Sequence, residues 1–149
     1  MKISKIEEQS IRLGVCLAKN GGQMALAELA VKENLSEALV AKIMGKLRRG
    51  GIITAARGRT GGYELVGSPD DITVAAVIRG LGRPIFEGCA ADRLVESSSP
   101  CPHLSDCSLR PIWEHLSSEV TRTLDRITLS TLMQKEGRIR DRVQNLKAV

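Results

Sequence analysis

The sequence contains few aromatic residues, few histidines and no long apolar run. Tyr63, Phe86 and Trp113 are its only aromatic residues, so it lacks the flat side chains on which proteins stack unpaired bases. Duplex DNA is therefore a better candidate partner than single-stranded nucleic acid or RNA. No stretch approaches the roughly 20 consecutive apolar residues that span a bilayer, and the first residues lack the apolar core of a secretion signal. We expect a cytoplasmic protein with no membrane partner.

The usual sequence motifs of enzymes are missing as well. The chain has two histidines and shows no nucleophile, phosphate-loop or dinucleotide motif. We therefore predict that the protein is not an enzyme and has no small-molecule substrate. A small metal or redox enzyme that uses the cysteines is the alternative from another functional class.

The charge of the chain points to a polyanionic partner. Its 149 residues, enough for one ordinary domain, include 22 Lys or Arg and 17 Asp or Glu, for a net charge of +5. Between Ser36 and Gly61 there is one acidic residue, Glu37, against six basic residues: Lys42, Lys46, Arg48, Arg49, Arg57 and Arg59. A surface that binds a polyanion is expected in this segment.

Hydrophobic periodicity predicts helices over residues 6–19, 25–33, 37–49 and 73–81, and two short strands over 52–56 and 63–66. In the third helix Val40, Ile43, Met44 and Leu47 repeat at the spacing of a buried stripe, and Ser36 is a good N-cap. The order helix, helix, turn, helix, hairpin is that of a winged helix-turn-helix. The predicted fold class is mainly α with a small β wing.

A winged helix-turn-helix suggests how duplex DNA would be bound. The N-terminal side chains of the third helix would face base edges in the major groove, and Arg59 at the hairpin tip would enter a narrow minor groove. A solvated charged face followed by an ordinary turn is the alternative. The candidate DNA-binding residues are Ser36, Glu37, Ala38, Ala41, Lys42, Lys46, Arg48, Arg57, Arg59, Thr60 and Gly61.

The second half of the chain has a different organisation. A long amphipathic helix is predicted over 109–127, with more apolar face than one small domain needs. We predict four regions: the winged helix-turn-helix over 1–82, a cysteine-containing loop over 83–108, the long helix with a closing segment over 109–133, and a charged tail over 134–149.

Three of the four cysteines, Cys89, Cys101 and Cys107, lie within nineteen residues. In a reducing compartment such thiols serve metals or redox chemistry more often than structural disulfides. Zinc sites usually show paired spacings such as Cys-x2-Cys, which this segment lacks. A zinc site, a thiol–disulfide switch, an iron–sulfur site and unrelated thiols all remain open at this stage. Cys16 lies among apolar residues of the first helix, so we expect it to pack in the core.

Several segments occur in the order of a known family. The opening MKISKIEEQSIRLGVCLA, the block LSEALVAKIMGKLRRGGII, the wing RGRTGGYEL and the three later cysteines make residues 1 to 133 similar to the bacterial winged-helix iron–sulfur transcription regulators of the IscR/NsrR type. The resemblance implies a homodimer that docks through the long helix. It also implies operator binding controlled by a 2Fe–2S or 4Fe–4S cluster on Cys89, Cys101 and Cys107, which senses redox state, nitric oxide or iron and cluster status.

The sequence departs from this family at the cysteine loop. Eleven residues separate Cys89 from Cys101, and Arg110 replaces a histidine that some members use as the fourth ligand. Arginine keeps its proton and does not bind iron. The resemblance instead implies Glu8, contributed by the partner subunit, as the fourth ligand, with His103 and His115 as alternatives.

Overall fold

The structure is a computed structural model that describes residues 3–56, 61–82, 85 and 106–146. Its elements follow a helix-rich order with one short hairpin. They are α1 (Lys5–Asn20), α2 (Leu26–Glu33), α3 (Glu37–Arg49), β1 (Ile53–Ala56), β2 (Gly62–Leu65), α4 (Val74–Gly80), α5 (Arg110–Asp125), α6 (Leu129–Leu132) and α7 (Glu136–Leu146). The predicted fold class is confirmed, and α3 has the predicted bounds.

Capping residues mark both ends of α1, the end of α2 and the beginning of α3. Ser4 and Glu7 form a capping box at the start of α1, which satisfies two backbone N–H groups that the helix leaves unpaired. Asn34 ends α2 in the left-handed conformation at φ 52°. Ser36 follows as the N-cap of α3, as predicted. This short connection between α2 and α3 is the turn of the helix-turn-helix.

The wing is a two-stranded antiparallel hairpin anchored to the segment that precedes α2. The strands pair from Ile53 with Leu65 to Ala56 with Gly62. Tyr63 and Met24 also exchange two backbone hydrogen bonds of 2.8 and 2.9 Å. A Cβ on Gly62 would lie 2.5 Å from the Met24 carbonyl oxygen, so only glycine allows this approach. The base of the wing is therefore held against the helical body.

One apolar core joins the helices and the hairpin. The predicted stripe of α3 is confirmed, since all four of its members are buried. The largest fully buried side chains are Leu13, Leu17, Met24, Leu29, Val40, Ile43, Met44, Leu47, Ile53, Val77 and Leu129.

The chain after α5 returns to this core. The long helix α5 ends at Asp125, two residues before the predicted end at 127, and the Ile127 carbonyl beyond it accepts a hydrogen bond of 2.8 Å from the Val74 N–H. Thr128 then caps α6, and Leu129 packs in the core against the bare backbone of Gly14. The predicted closing segment is thus the short helix α6, which begins at Leu129.

The charged tail contains a helix that the sequence analysis did not assign. Its first turn is stabilised by an ion pair of 2.8 Å between Arg140 and Glu136, one turn apart. None of the described helices is both long enough and apolar enough to cross a membrane.

Candidate nucleic-acid interface and cysteine segment

The exposed face of α3 is opposite its buried stripe. The Ser36 Oγ accepts a hydrogen bond of 3.3 Å from the Leu39 N–H, which satisfies one free donor of the first turn. Glu37, Ala38 and Ala41 follow on the exposed face. The small side chains of Ala38 and Ala41 leave the N-terminal half of α3 accessible to a large partner. These positions are where the sequence predicted contact with DNA.

Cations continue along the same helix. Lys42 and Arg48 are exposed and Lys46 is half-buried, and none of them forms an ion pair within the described part of the chain. Their positive charge is thus left to attract phosphate groups, which supply most of the affinity of proteins for DNA.

The tip of the wing was the second predicted contact. Gly61 is half-buried next to the first residue of β2. Arg57, Arg59 and Thr60 lie outside the described residues, so their contact with a minor groove stays a prediction.

A small cleft of about 230 Å³ lies where the C-terminal ends of α3 and α4 meet. Lys46, Arg49 and Arg79 line it, together with backbone from Gly50 and Gly80. Arg49 is one of the six basic residues of the predicted DNA-binding segment but was not among the predicted contact residues, and Arg79 was not predicted at all. The spacing of Lys42, Lys46 and Arg49 along one helix was a signal for Arg49, whereas nothing local indicates that Arg79 lies beside them.

Arg79 is fixed by an acid on the long helix. Its Nη2 and Nη1 donate to the two carboxylate oxygens of Asp125 at 2.8 and 3.4 Å, and the Thr73 hydroxyl donates to Asp125 at 3.3 Å. The hydrogen bonds from Arg79 hold the pKa of Asp125 below its ordinary value, against a smaller opposing effect of burial. One carboxylate thereby connects the C-terminal end of α5 to both ends of α4.

Of the three clustered cysteines, the structure describes Cys107. It is a free, half-buried thiol three residues before α5, and its carbonyl accepts a hydrogen bond of 3.2 Å from the Arg110 N–H. Cys89, Cys101 and His103 lie outside the described residues. Within the described ranges no group of three or more Cys, His, Asp or Glu side chains is arranged to hold a metal ion.

The candidate fourth ligands occupy exposed helix faces. Glu8 lies in the first turns of α1 and forms an ion pair of 2.9 Å with Arg12, while its side chain keeps 55% of its surface exposed. An exposed pair of this kind contributes about 0–1 kcal/mol, so the carboxylate is easily released. Its neighbour Glu7 is committed to the capping box. His115 is exposed on α5, eight residues after Cys107.

Cys16 packs in the core, as predicted. Its Sγ lies 3.9 Å from the Met24 Sδ, and burial raises the pKa of the thiol, with Glu33 contributing in the same direction. A buried thiol of this kind behaves as a small apolar side chain.

The fold and the charged face of α3 together define a DNA-binding protein of the winged helix-turn-helix class. The sequence model of the Rrf2 family, described as an iron-dependent transcriptional regulator, matches residues 3–135. The chain belongs to the Rrf2 family. It is therefore a transcriptional regulator that binds DNA, and not an enzyme.

Relatives of two kinds are similar to the chain. IscR of Aliivibrio salmonicida is 30% identical over 81% of this chain and 69% of that protein. CymR of Bacillus subtilis is 31% identical over 89% of each chain. The solved structure of that CymR, described as the global cysteine regulator, superposes with a TM-score of 0.69 over 89% of this chain and 96% of the other. The structure of IscR from T. potens gives 0.66 at 26% identity, over 89% and 86% of the two chains.

Proposed function

We propose that this Rrf2-family regulator is a homodimer whose operator binding is controlled by an iron–sulfur cluster on Cys89, Cys101 and Cys107. The observation that carries the proposal is the free, half-buried thiol of Cys107, three residues before the long helix α5. The family description as iron-dependent and the similarity to IscR support the same assignment. Because its DNA target lies in the bacterial cytoplasm, we assign the protein to that compartment.

The donor set fits such a cluster. Thiolates are the usual protein ligands of iron–sulfur clusters, and a carboxylate can complete the set at one iron. Glu8 fits the fourth position because its only described partner is an exposed arginine one turn away. A bound cluster, of either the 2Fe–2S or the 4Fe–4S type, would supply sensitivity to redox state, nitric oxide or iron status. His103 and His115 are the alternatives to Glu8.

The homodimer is supported by the apolar face of α5. Leu109, Ile112 and Leu116 keep 54%, 53% and 40% of their surface exposed, and no residue of this helix is buried. They lie one turn apart along a single stripe, which is the pattern of a helix that packs against another helix. A second copy of α5 is the occupant that this self-complementary stripe fits best.

The exposed face of α3 supports the predicted DNA contacts. We assign base contacts to its N-terminal face, from Ser36 to Lys42, and phosphate contacts to Lys46 and Arg48. The wing residues Arg57, Arg59, Thr60 and Gly61 would reach the adjacent minor groove.

The similarity to CymR favours a second candidate function. A regulator that responds through its thiols, without a cluster, would need neither Glu8 nor a fourth ligand. Arg110, in place of the histidine that some members use as the fourth ligand, agrees with that alternative.

Anaerobic purification tests the cluster directly. We expect a brown protein with absorption near 400 nm and with matched amounts of iron and sulfide. Ala at Cys89, Cys101 or Cys107 should abolish the absorption, whereas Cys16→Ala, the matched control, should keep it. A colourless protein with a full complement of reactive thiols would contradict the cluster and favour the thiol regulator.

Glu8→Ala separates the candidate fourth ligands. We expect the cluster to assemble but to decay faster, because a weaker exogenous ligand replaces the carboxylate. His103→Ala and His115→Ala should decay at the wild-type rate. A labile His103→Ala together with an unchanged Glu8→Ala would place the fourth ligand in the cysteine loop.

Light scattering tests the homodimer. Ile112→Glu with Leu116→Glu should give monomers, because a dimer would bury unpaired carboxylates at the α5 stripe. Ser118→Glu, on an exposed position of the same helix outside the stripe, should remain dimeric. A monomeric wild-type protein at micromolar concentration would contradict the proposal.

A further inference from the structure

We propose that the cleft between the ends of α3 and α4 binds a phosphate group of the DNA backbone. The inference rests on the DNA-binding activity described above and extends the protein's contact surface beyond the recognition helix and the wing. Lys46, Arg49 and Arg79 would contact the phosphate, and Asp125 would regulate how much of the Arg79 charge is available.

The shape of the cleft suits a small group. Its volume of about 230 Å³ is below the roughly 300–1,000 Å³ of pockets for drug-sized ligands. The floor is formed where two helix ends touch: a Cβ on Gly50 would lie 2.4 Å from the Gly80 Cα. The close backbone contact brings cations from two different helices to one rim. A single phosphate projecting from a DNA strand can enter such a shallow site.

The charge of the cleft is positive and largely uncompensated. Lys46 and Arg49 form no ion pair within the described residues, and Arg79 uses two of its guanidinium N–H groups on Asp125. Arginine has five such donors, so others remain for a phosphate oxygen. Two helix C-termini normally repel anions. Here two of the C-terminal carbonyls already accept hydrogen bonds, from the Gly50 N–H to the Lys46 carbonyl and from the Gly82 N–H to the Arg79 carbonyl, both at 2.9 Å, and three cationic side chains lie beside them.

The position of the cleft continues the cationic face of α3. Lys42, Lys46 and Arg49 follow one another at intervals of one helical turn along this helix. The Arg49 Nη1 would lie 3.7 Å from a Cβ on Gly45, so its guanidinium extends back over the exposed face. Arg79 adds a fourth cation beyond the end of the helix. A DNA strand that contacts these cations in order along α3 would reach the cleft at the C-terminal end of that helix.

Substitution of Asp125 distinguishes a phosphate contact of Arg79 from a purely structural role of the Arg79–Asp125 ion pair. If the Arg79–Asp125 bridge only holds α4 against α5, then Arg79→Gln and Asp125→Asn should weaken DNA binding alike. If Arg79 contacts a phosphate, the two variants should act in opposite directions. Loss of Arg79 removes a cation from the interface, whereas loss of the Asp125 charge removes an anion that competes with the phosphate.

The experiment measures fluorescence anisotropy of a short, labelled DNA duplex of mixed sequence over a range of salt concentrations. Arg79→Gln should lower affinity roughly 3- to 10-fold at low salt and reduce the slope of log K against log salt by about 0.9 per bound chain. Lys46→Gln should behave similarly, Arg79→Lys should restore most of the affinity, and Asp125→Asn should bind more tightly than the wild type.

Arg122→Gln is the matched control. Arg122 is 55% exposed and paired with one acid, Glu119, while Arg79 is 51% exposed and paired with Asp125. The control should leave both the affinity and the salt slope unchanged. Thermal denaturation of each variant establishes that it is folded before its affinity is compared.

Three outcomes would overturn the phosphate site. The first is a salt slope in Arg79→Gln equal to that of Arg122→Gln, and the second is weaker binding in both Arg79→Gln and Asp125→Asn. The third is a shift of the Arg79 side-chain NMR signal by inorganic phosphate, without DNA, while Arg79→Gln keeps the wild-type slope, which would assign the cleft to a free anion. A wild-type protein that fails to bind the duplex at all would instead contradict the DNA-binding function itself.

Discussion

At the scale of single residues, two cysteines of one chain have opposite environments. Cys16 is buried beside Met24 in the core, whereas Cys107 is half-buried before α5. The thiolate is the reactive form of cysteine, so both access and pKa decide the rate of modification. The two thiols can therefore report separately on the core and on the cysteine segment.

Alkylation should distinguish these two thiols. In the cluster-free protein at neutral pH we expect iodoacetamide to modify Cys107 quickly and Cys16 slowly, because burial both blocks Cys16 and raises its pKa. Raising the pH should accelerate Cys16 less than unfolding the chain in urea does. Mass spectrometry of peptides measures both rates in one sample. Equal rates in the folded protein would contradict the core position of Cys16.

Asp125 should make stability depend on pH. Its pKa in the folded state lies below the ordinary 3.8, because Arg79 donates hydrogen bonds to its charged form. Its contribution is therefore fully present above the ordinary pKa and is lost as the pH falls through the lowered, folded-state pKa.

The test compares urea unfolding of the wild type and Asp125→Asn from neutral pH down to about pH 3, below the ordinary pKa of aspartate. The variant should be less stable at neutral pH, and the difference should shrink as Asp125 becomes protonated. In an Arg79→Gln background, Asp125→Asn should show little of this pH dependence. A difference that stays constant with pH in both backgrounds would show that Arg79 does not stabilise the Asp125 charge.

At the scale of elements, periodicity predicted α3 fully because every signal agreed. The stripe from Val40 to Leu47 is buried on one side, Ser36 caps the beginning, and Gly50 follows the end. Such agreement between local patterns is what makes a helix readable from sequence alone. The wing strands were also predicted, to within a residue at each end.

Features that depend on contacts between distant parts of the chain could not be predicted from the sequence in the same way. The segment after α5 is held by the hydrogen bond from the Val74 N–H to the Ile127 carbonyl, and the base of the wing by the pairing of Tyr63 with Met24. Each contact joins residues far apart in the sequence, and no local pattern encodes it. The cleft has the same origin, because Arg79 reaches Lys46 and Arg49 only through the packing of α4 on α3.

At the scale of the whole molecule, α6 attaches the end of the long helix to the winged helix-turn-helix. Leu129 is fully buried in the core shared by α1 and α3, and both of its Cδ atoms would lie 3.4 Å from a Cβ on Gly14. The long helix α5 therefore ends at a fixed point on the DNA-binding body. Its 16 residues span about 24 Å, with Cys107 beyond one end and Asp125 at the other.

Leu129→Ala should destabilise the whole chain. Removing a fully buried leucine side chain costs about 2–5 kcal/mol, because it loses apolar burial and leaves a cavity. Val66→Ala, at a position 51% exposed, should change the free energy of unfolding by less than about 0.5 kcal/mol. Urea unfolding measures both variants. A loss below about 1 kcal/mol in Leu129→Ala would show that α6 is not part of the core.

The contact between Gly50 and Gly80 also limits which substitutions can be tolerated at these two positions during evolution. At position 50 an added methyl group meets the Gly80 backbone, which has no side chain to move aside. At position 80 the obstacle is the Ile52 Cγ1 at 2.8 Å, which a smaller residue at 52 would remove. Alanine at position 80 can therefore be tolerated once a smaller residue has replaced Ile52. No single neighbouring substitution opens the same path at position 50, so that glycine should be the last of the pair to change.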